Sequence, residues 1–138
     1  MRSTVTEIPA APAAEALAHF SRRLAFETDC WDVHDAVTTG RQDFVLLDVR
    51  SPDLFARGHL PGAVNLPHRR IIARRMADWP PETTFVVYCA GPHCNGANKG
   101  AIRLAGLGLP VKEMIGGVTG WIDEGFDLVV EAAAQAAE

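Results

Sequence analysis

The chain has little of several things, and each shortage excludes a class of protein. There are three cysteines in 138 residues, an odd and sparse set that does not make a disulfide framework and suits a reducing compartment. No apolar run approaches the ~20 residues of a membrane span. The Ala/Pro-rich beginning carries only Arg2 as a positive charge and is interrupted by Glu15, so a secretory leader is not expected. Positive charge is also short: 13 Lys and Arg stand against 17 Asp and Glu, a net charge of −4, which argues against a nucleic-acid surface. There is no internal repeat. The expected setting is the cytoplasm, with neither membrane nor nucleic acid as a partner.

What is present is one globular domain's worth of hydrophobic residues, 48% of the chain, enough to bury a proper core. Residues 1–24 are Ala/Pro-rich and read as an N-terminal extension with a turn or two of amphipathic helix around Ala14 to Leu24. Residues 25–130 form the core domain. Residues 131–138 favour helix by propensity but offer nothing large to bury, and read as a frayed tail.

Within the core, strands alternate with helices. Phe44-Val45-Leu46-Leu47-Asp48 and Phe85-Val86-Val87-Tyr88 are continuous apolar runs, the pattern of strands covered on both faces of a parallel sheet. Ala63-Val64-Asn65 and Val111 to Ile115 are shorter strand candidates. Helices are expected at about Cys30 to Thr38, Pro52 to Arg57, Arg69 to Ala77 and Ala97 to Leu107. Asp29 and Ser51 stand at N-cap positions, the latter followed by Pro52, whose missing N–H costs nothing there. Gly58 and Pro80-Pro81 are stop signals. The order is α/β with right-handed crossovers.

Cys89 is the most informative residue. It closes an apolar strand and opens the turn-rich segment Ala90-Gly91-Pro92-His93-Cys94-Asn95-Gly96, after which a helix begins. A thiol between a strand end and a helix start faces free backbone N–H groups and the positive end of the helix dipole, which is expected to lower its pKa. The plain alternative is a buried small hydrophobe. Cys94 is either a loop bystander or a second thiol able to react with Cys89. A zinc site from Cys89, His93 and Cys94 lacks standard spacing and a second ligand pair. Cys30, beside Trp31, Val33 and Val37, is expected to be a buried structural thiol.

Three segments in order then carry a resemblance. Leu47-Asp48-Val49-Arg50-Ser51-Pro52 with Gly58-His59-Leu60-Pro61-Gly62-Ala63-Val64-Asn65-Leu66-Pro67, next Val87-Tyr88-Cys89, and finally Ile115-Gly116-Gly117-Val118-Thr119-Gly120-Trp121 together resemble the rhodanese-like domain family. The resemblance covers about residues 25 to 128. It implies a small parallel sheet with helices on both faces, and a sulfurtransferase that moves a sulfane sulfur from thiosulfate or another persulfide donor, through a persulfide on Cys89, to a thiophilic acceptor. It implies no cofactor and no metal. The implied partners are a small sulfur donor and a thiol acceptor, the latter a small molecule or a protein. The implied substrate-binding residues are Ala90, Gly91, His93, Cys94, Asn95, Gly96 and Ala97, and Asp48, Arg50 and Arg69 are candidates for shaping the site.

The loop departs from the family pattern: counted from Cys89 it is longer than usual, and counted from Cys94 shorter. Related phosphatases and arsenate reductases of this fold use long loops but need an Arg near the end to hold oxyanions. Six positions beyond Cys89 lies Asn95, and six beyond Cys94 lies Gly100, so that chemistry is disfavoured. Two alternatives to sulfur transfer stay open: a dithiol redox protein using Cys89 and Cys94, and a non-catalytic sulfur-carrier or binding module. Asp48 with Arg50 reads as a local ion pair, His59 as a turn hydrogen-bonder, Trp121 as core packing. His68, Arg69, Arg70, Arg74 and Arg75 form a basic stretch whose start is expected near the mouth of the pocket.

Overall fold

The continuous apolar runs do become the central strands. The computed structural model describes residues 1–131. β2 (Val45–Asp48) and β4 (Phe85–Tyr88) lie side by side in parallel, with Val45 opposite Phe85 and Asp48 opposite Tyr88. β3 (Val64–Asn65) flanks β2, β5 (Val111–Met114) flanks β4, and β1 (Glu27–Thr28) closes the far edge. The sheet is entirely parallel, in the order β1-β5-β4-β2-β3. β1, two residues long, was not expected from the sequence.

Because side chains alternate across a strand, the two central strands feed two separate cores. Leu47, Val49, Phe85, Val87 and Cys89 point to one face, where Ile71, Met76 and Leu104 cover them. Leu46, Val86 and Tyr88 point to the other, against Val33, Leu60, Met114 and Trp121. α5 (Gly96–Gly106) covers the first face, while α2 (Cys30–Thr38) and α6 (Gly117–Asp123) cover the second.

The expected caps are present. Asp29 accepts from the Asp32 N–H at 2.8 Å and starts α2. Ser51 accepts from Leu54 N–H at 3.3 Å, and α3 (Pro52–Arg57) follows. The N-terminal extension is a longer helix than expected. α1 (Ala13–Phe26) runs 14 residues with none buried, and its end is tied to the domain by Lys112 Nζ donating to Leu24 O at 2.8 Å.

The single helix expected from Arg69 to Ala77 is broken in two: a 3-10 turn at His68–Arg70 and α4 at Ala73–Met76. The reason is Ile71, only 2% exposed. Its backbone and that of Ile72 become extended, which carries the Ile71 side chain into the core beneath α5. Burial outweighs the local helical preference here. Among the described residues no helix is long and apolar enough to cross a membrane. The tail expected at 131–138 lies outside the described residues except for Glu131, whose N–H donates to Ala56 O at 2.9 Å.

Candidate active site

Cys89 leaves β4 on the α5 face, 7% exposed, at the carboxyl edge of the sheet. Open α/β sheets place their binding crevices at that edge. The chain is held there by the Gly116-Gly117 turn. Val118 N–H donates to Cys89 O at 3.0 Å and Thr119 N–H to Ala90 O at 2.9 Å, so the start of α6 uses up the carbonyls of the strand end. Gly117 has φ +60, and a Cβ there would lie 2.5 Å from Cys89 O and 2.7 Å from Gly91 N. Both the backbone conformation and the close approach therefore require glycine.

With the carbonyls turned toward α6, the N–H groups serve the sulfurs. Gly96 N–H donates to Cys94 Sγ at 3.4 Å, and the backbone N–H groups of Ala90 and Gly96 act to lower the pKa of both thiols. Gly96 opens α5, whose first turn presents further N–H groups along the dipole. A Cβ on Gly96 would stand 2.7 Å from Cys89 Sγ and 3.5 Å from Cys94 Sγ. The two thiols thus flank the same point, and each perturbs the other's ionisation.

The expectation of a lowered pKa at Cys89 is overturned. Burial pushes this thiol up to about 11, helped by the neighbouring Cys94 and opposed by the Ala90 and Gly96 N–H groups. Cys94 is the thiol held below its ordinary value, first by the hydrogen bond from Cys89 and then by Gly96 N–H. Desolvation of the inner sulfur outweighs the helix terminus, and the benefit of the N–H groups falls to the more exposed partner.

A cavity of about 690 Å³ opens over this pair, lined by Ala90, Gly91, His93, Cys94, Asn95 and Ala97, though not by Gly96, and also by Glu113 and Met114. Its size suits a small ligand. Glu113 and Asn98 are the residues that sequence reasoning missed. Asn98 Nδ2 donates to a Glu113 carboxylate oxygen, joining α5 to β5 across the rim. Glu113 pairs in register with Val87, so strand parity combined with the carboxyl-edge rule was the signal that could have found it. Glu113 is the one formally charged side chain among the lining residues.

The expected site-shaping residues are not in the cavity. Asp48 stands opposite Tyr88 and points with it to the other face. It is fully buried, receives Tyr88 Oη at 2.8 Å, and pairs with Arg50 Nη2 at 2.7 Å. Arg50 Nη2 also donates to Gly58 O at 2.6 Å. Asp48 and Arg50 are the local ion pair that the sequence suggested. Arg69 lines a different cleft, with Pro67, Arg70, Arg74 and Asp78, not the mouth of the Cys89 cavity.

Other residues take their structural roles. His59, 6% exposed, shares a 2.8 Å hydrogen bond between Nδ1 and Phe55 O. Trp121 Nε1 donates to Asp127 O at 2.9 Å. Cys30 is 5% exposed beneath the Gly116-Gly117 turn, its thiol directed at Ile115 O and Gly117 O. Among the described residues no three His, Cys, Asp or Glu side chains gather as metal ligands would.

Comparison with known proteins agrees with this architecture. Residues 32–124 match the model of the rhodanese-like domain, and the chain belongs to that family. A crystal structure of the BH2092 protein from Bacillus halodurans is similar at 29% identity and TM-score 0.83, covering 92% of this chain and all of that one. A protein named sulfurtransferase from Allochromatium vinosum is 30% identical over 64% of this chain and 80% of its own length. The HTH-type transcriptional regulator Rv0324 of Mycobacterium tuberculosis is 34% identical over 60% of this chain. This chain spans only 39% of that regulator's length.

Proposed function

We propose that the domain is a sulfurtransferase in which Cys89 takes up a sulfane sulfur as a persulfide. The observation that carries this reading is the placement of a strand-end thiol among backbone N–H groups inside a cavity of small-ligand size. Such N–H groups stabilise an anion without the full charge that a phosphoryl oxyanion would require. Family membership and a relative named sulfurtransferase support the same reading.

The two thiols supply the proton chemistry. With Cys89 protonated and Cys94 the more acidic partner, the Cys94 thiolate accepts the Cys89 proton as Cys89 Sγ attacks the outer sulfur of the donor. For thiosulfate, the new Sγ–S bond forms as the S–SO3 bond breaks, and sulfite leaves with the electron pair. The products are a Cys89 persulfide anion and a Cys94 thiol. Cys94 therefore acts as the general base for loading. A thiol acceptor, small or on a protein, then removes the outer sulfur.

Whole-protein mass after incubation with thiosulfate, or with an alkyl persulfide, tests the reading. The wild-type chain takes up donor sulfur with release of one product anion per sulfur, whereas Cys89→Ser takes up none. Sulfur transfer at the wild-type rate by Cys89→Ser would overturn the assignment. A wild-type chain and a Cys94→Ser variant that both stay at their original mass, with no product released, would favour the binding-module alternative.

A further inference from the structure

The geometry points to an internal second step: Cys94 resolves the Cys89 persulfide, so that the loop reduces a sulfane sulfur to sulfide and closes as a Cys89–Cys94 disulfide. This rests on the sulfurtransferase reading and adds to it a dithiol, sulfide-releasing activity.

Three observations lead there. First, the two sulfurs flank a single point at the start of α5, 2.7 and 3.5 Å from where a Gly96 Cβ would be, and only four residues separate them in the chain, so closure costs little chain entropy. Gly96 is the residue that makes this meeting possible, since any side chain there would wedge into the pair. Second, Cys94 approaches Sγ of Cys89 itself in the resting state. The inner sulfur of a persulfide there is therefore the one beside Cys94, and the cavity over the pair leaves room for the outer sulfur. Third, the leaving groups differ. An acceptor that takes the outer sulfur must expel the Cys89 thiolate from a dry site that disfavours its charge, whereas attack at Sγ expels sulfide, a more acidic leaving group. Exchange is faster when the departing sulfur is the weaker base.

The step balances. The Cys89 persulfide anion and the Cys94 thiol give a Cys89–Cys94 disulfide and hydrosulfide. The bond between the two Sγ atoms forms as the bond from Cys89 Sγ to the outer sulfur breaks. The outer sulfur departs with the electron pair and takes up the Cys94 proton. It is reduced by two electrons, and the two cysteine sulfurs are oxidised together. A dithiol reductant returns the loop to its starting state. The same two residues thus load the sulfur and discharge it, with one proton passing from Cys89 to Cys94 and out with the sulfide.

A single-turnover experiment under exclusion of oxygen tests this, using pre-reduced, desalted full chain with thiosulfate in one arm and cysteine persulfide in the other. Wild type is expected to release about one sulfide per chain and to lose two hydrogens, with Cys89 joined to Cys94 in the peptide map. Cys94→Ser and Cys94→Ala are expected to load more slowly, to retain one added sulfur, and to release no sulfide until an external thiol is added. Wild type that keeps the added sulfur and releases no sulfide would overturn the second step while leaving the transfer reading intact. Sulfide release by the Cys94 variants at the wild-type rate would do the same. Failure of wild type to release a product anion or sulfide, or to gain a sulfur, from either donor would remove the persulfide itself, and with it both readings.

Discussion

β2 and β4 run side by side and end on paired residues, Asp48 opposite Tyr88, yet the chain leaves them in opposite chemical states. At the end of β2 every polar group is consumed. Asp48 binds Arg50 and Tyr88, Arg50 binds Gly58 O, and Tyr88 Oη accepts Leu60 N–H at 3.1 Å. One residue beyond Tyr88, the chain turns its carbonyls to α6 and leaves N–H groups facing sulfur and a cavity. A closed polar knot holds position, while an open set of donors is left for a ligand. Adjacent strand ends of one sheet can therefore divide support from chemistry, with side-chain parity deciding which residue does which.

The sharpest way to break that comparison is to open the knot. In Asp48→Ala, Arg50 is left buried without its carboxylate and Tyr88 loses its acceptor. A loss of about 3–5 kcal/mol is expected, as for other buried pairs cut on one side. Urea unfolding measures it. Cys89→Ser in the same assay should shift stability by under ~1 kcal/mol while removing sulfur uptake. If Asp48→Ala kept full stability but lost sulfur uptake, the knot would belong to the chemistry after all.

Alkaline titration probes the support side without mutation. Burial, with the carboxylates of Asp29 and Glu124, pushes Cys30 up to about 11. The folded chain then holds a proton that the unfolded chain has already lost, so stability is full below the ordinary thiol range and falls as pH rises toward 11. Two pH units at one site amount to about 3 kcal/mol. Cys89 adds in the same direction, partly offset by the opposite shift of Cys94. Denaturant midpoints from pH 8 to 11 should fall steeply in wild type and less so in Cys30→Ala. Equal slopes for the two would assign the loss elsewhere.

Gly96→Ala tests the open side by filling it. The added methyl would meet Cys89 Sγ at 2.7 Å, and overpacking of this kind costs about 1–3 kcal/mol. The decisive readout is separation of the thiols: mild oxidation is expected to join Cys89 to Cys94 in wild type and to fail to do so in the variant. A disulfide forming at the wild-type rate in Gly96→Ala would mean that the sulfurs meet elsewhere.

Much of this division was legible in the residues. The apolar runs around Leu46 and Val86, the caps at Asp29 and Ser51, and the strand-end position of Cys89 all follow from local pattern. Strand parity alone would also have put Asp48 and Tyr88 on the face away from Cys89, an inference available but outweighed by their closeness in sequence. The broken helix at Ile71 was not legible, because the balance between helix propensity and burial of one side chain is set by distant residues such as those of α5. The raised pKa of Cys89 was not legible for a related reason. The helix start beside it is local, but the desolvation that overrides it comes from Leu47, Val87, Leu104 and the rest of the packed face.

The smallest expected effect sharpens the open side further, because it concerns what the cavity admits. Glu113 stands in the lining, tied to Asn98, and no lysine or arginine is among the lining residues. Thiosulfate carries two negative charges and must approach this carboxylate, whereas a persulfide bearing an ammonium group gains from it. At a separation of several ångströms near a protein surface, one carboxylate is worth about 1 kcal/mol against an anion, and less as salt screens it. Glu113→Gln keeps the amide within reach of Asn98 and removes only the charge. It should therefore raise kcat/KM for thiosulfate about 3- to 5-fold, the rate equivalent of that energy, and should leave unchanged or lower the value for cysteine persulfide. Added salt should speed the thiosulfate reaction of wild type more than that of the variant, since the repulsion to be screened is gone. Equal gains with both donors would point to altered packing at the rim instead of charge, and the preference for an ammonium-bearing donor would then have to be abandoned.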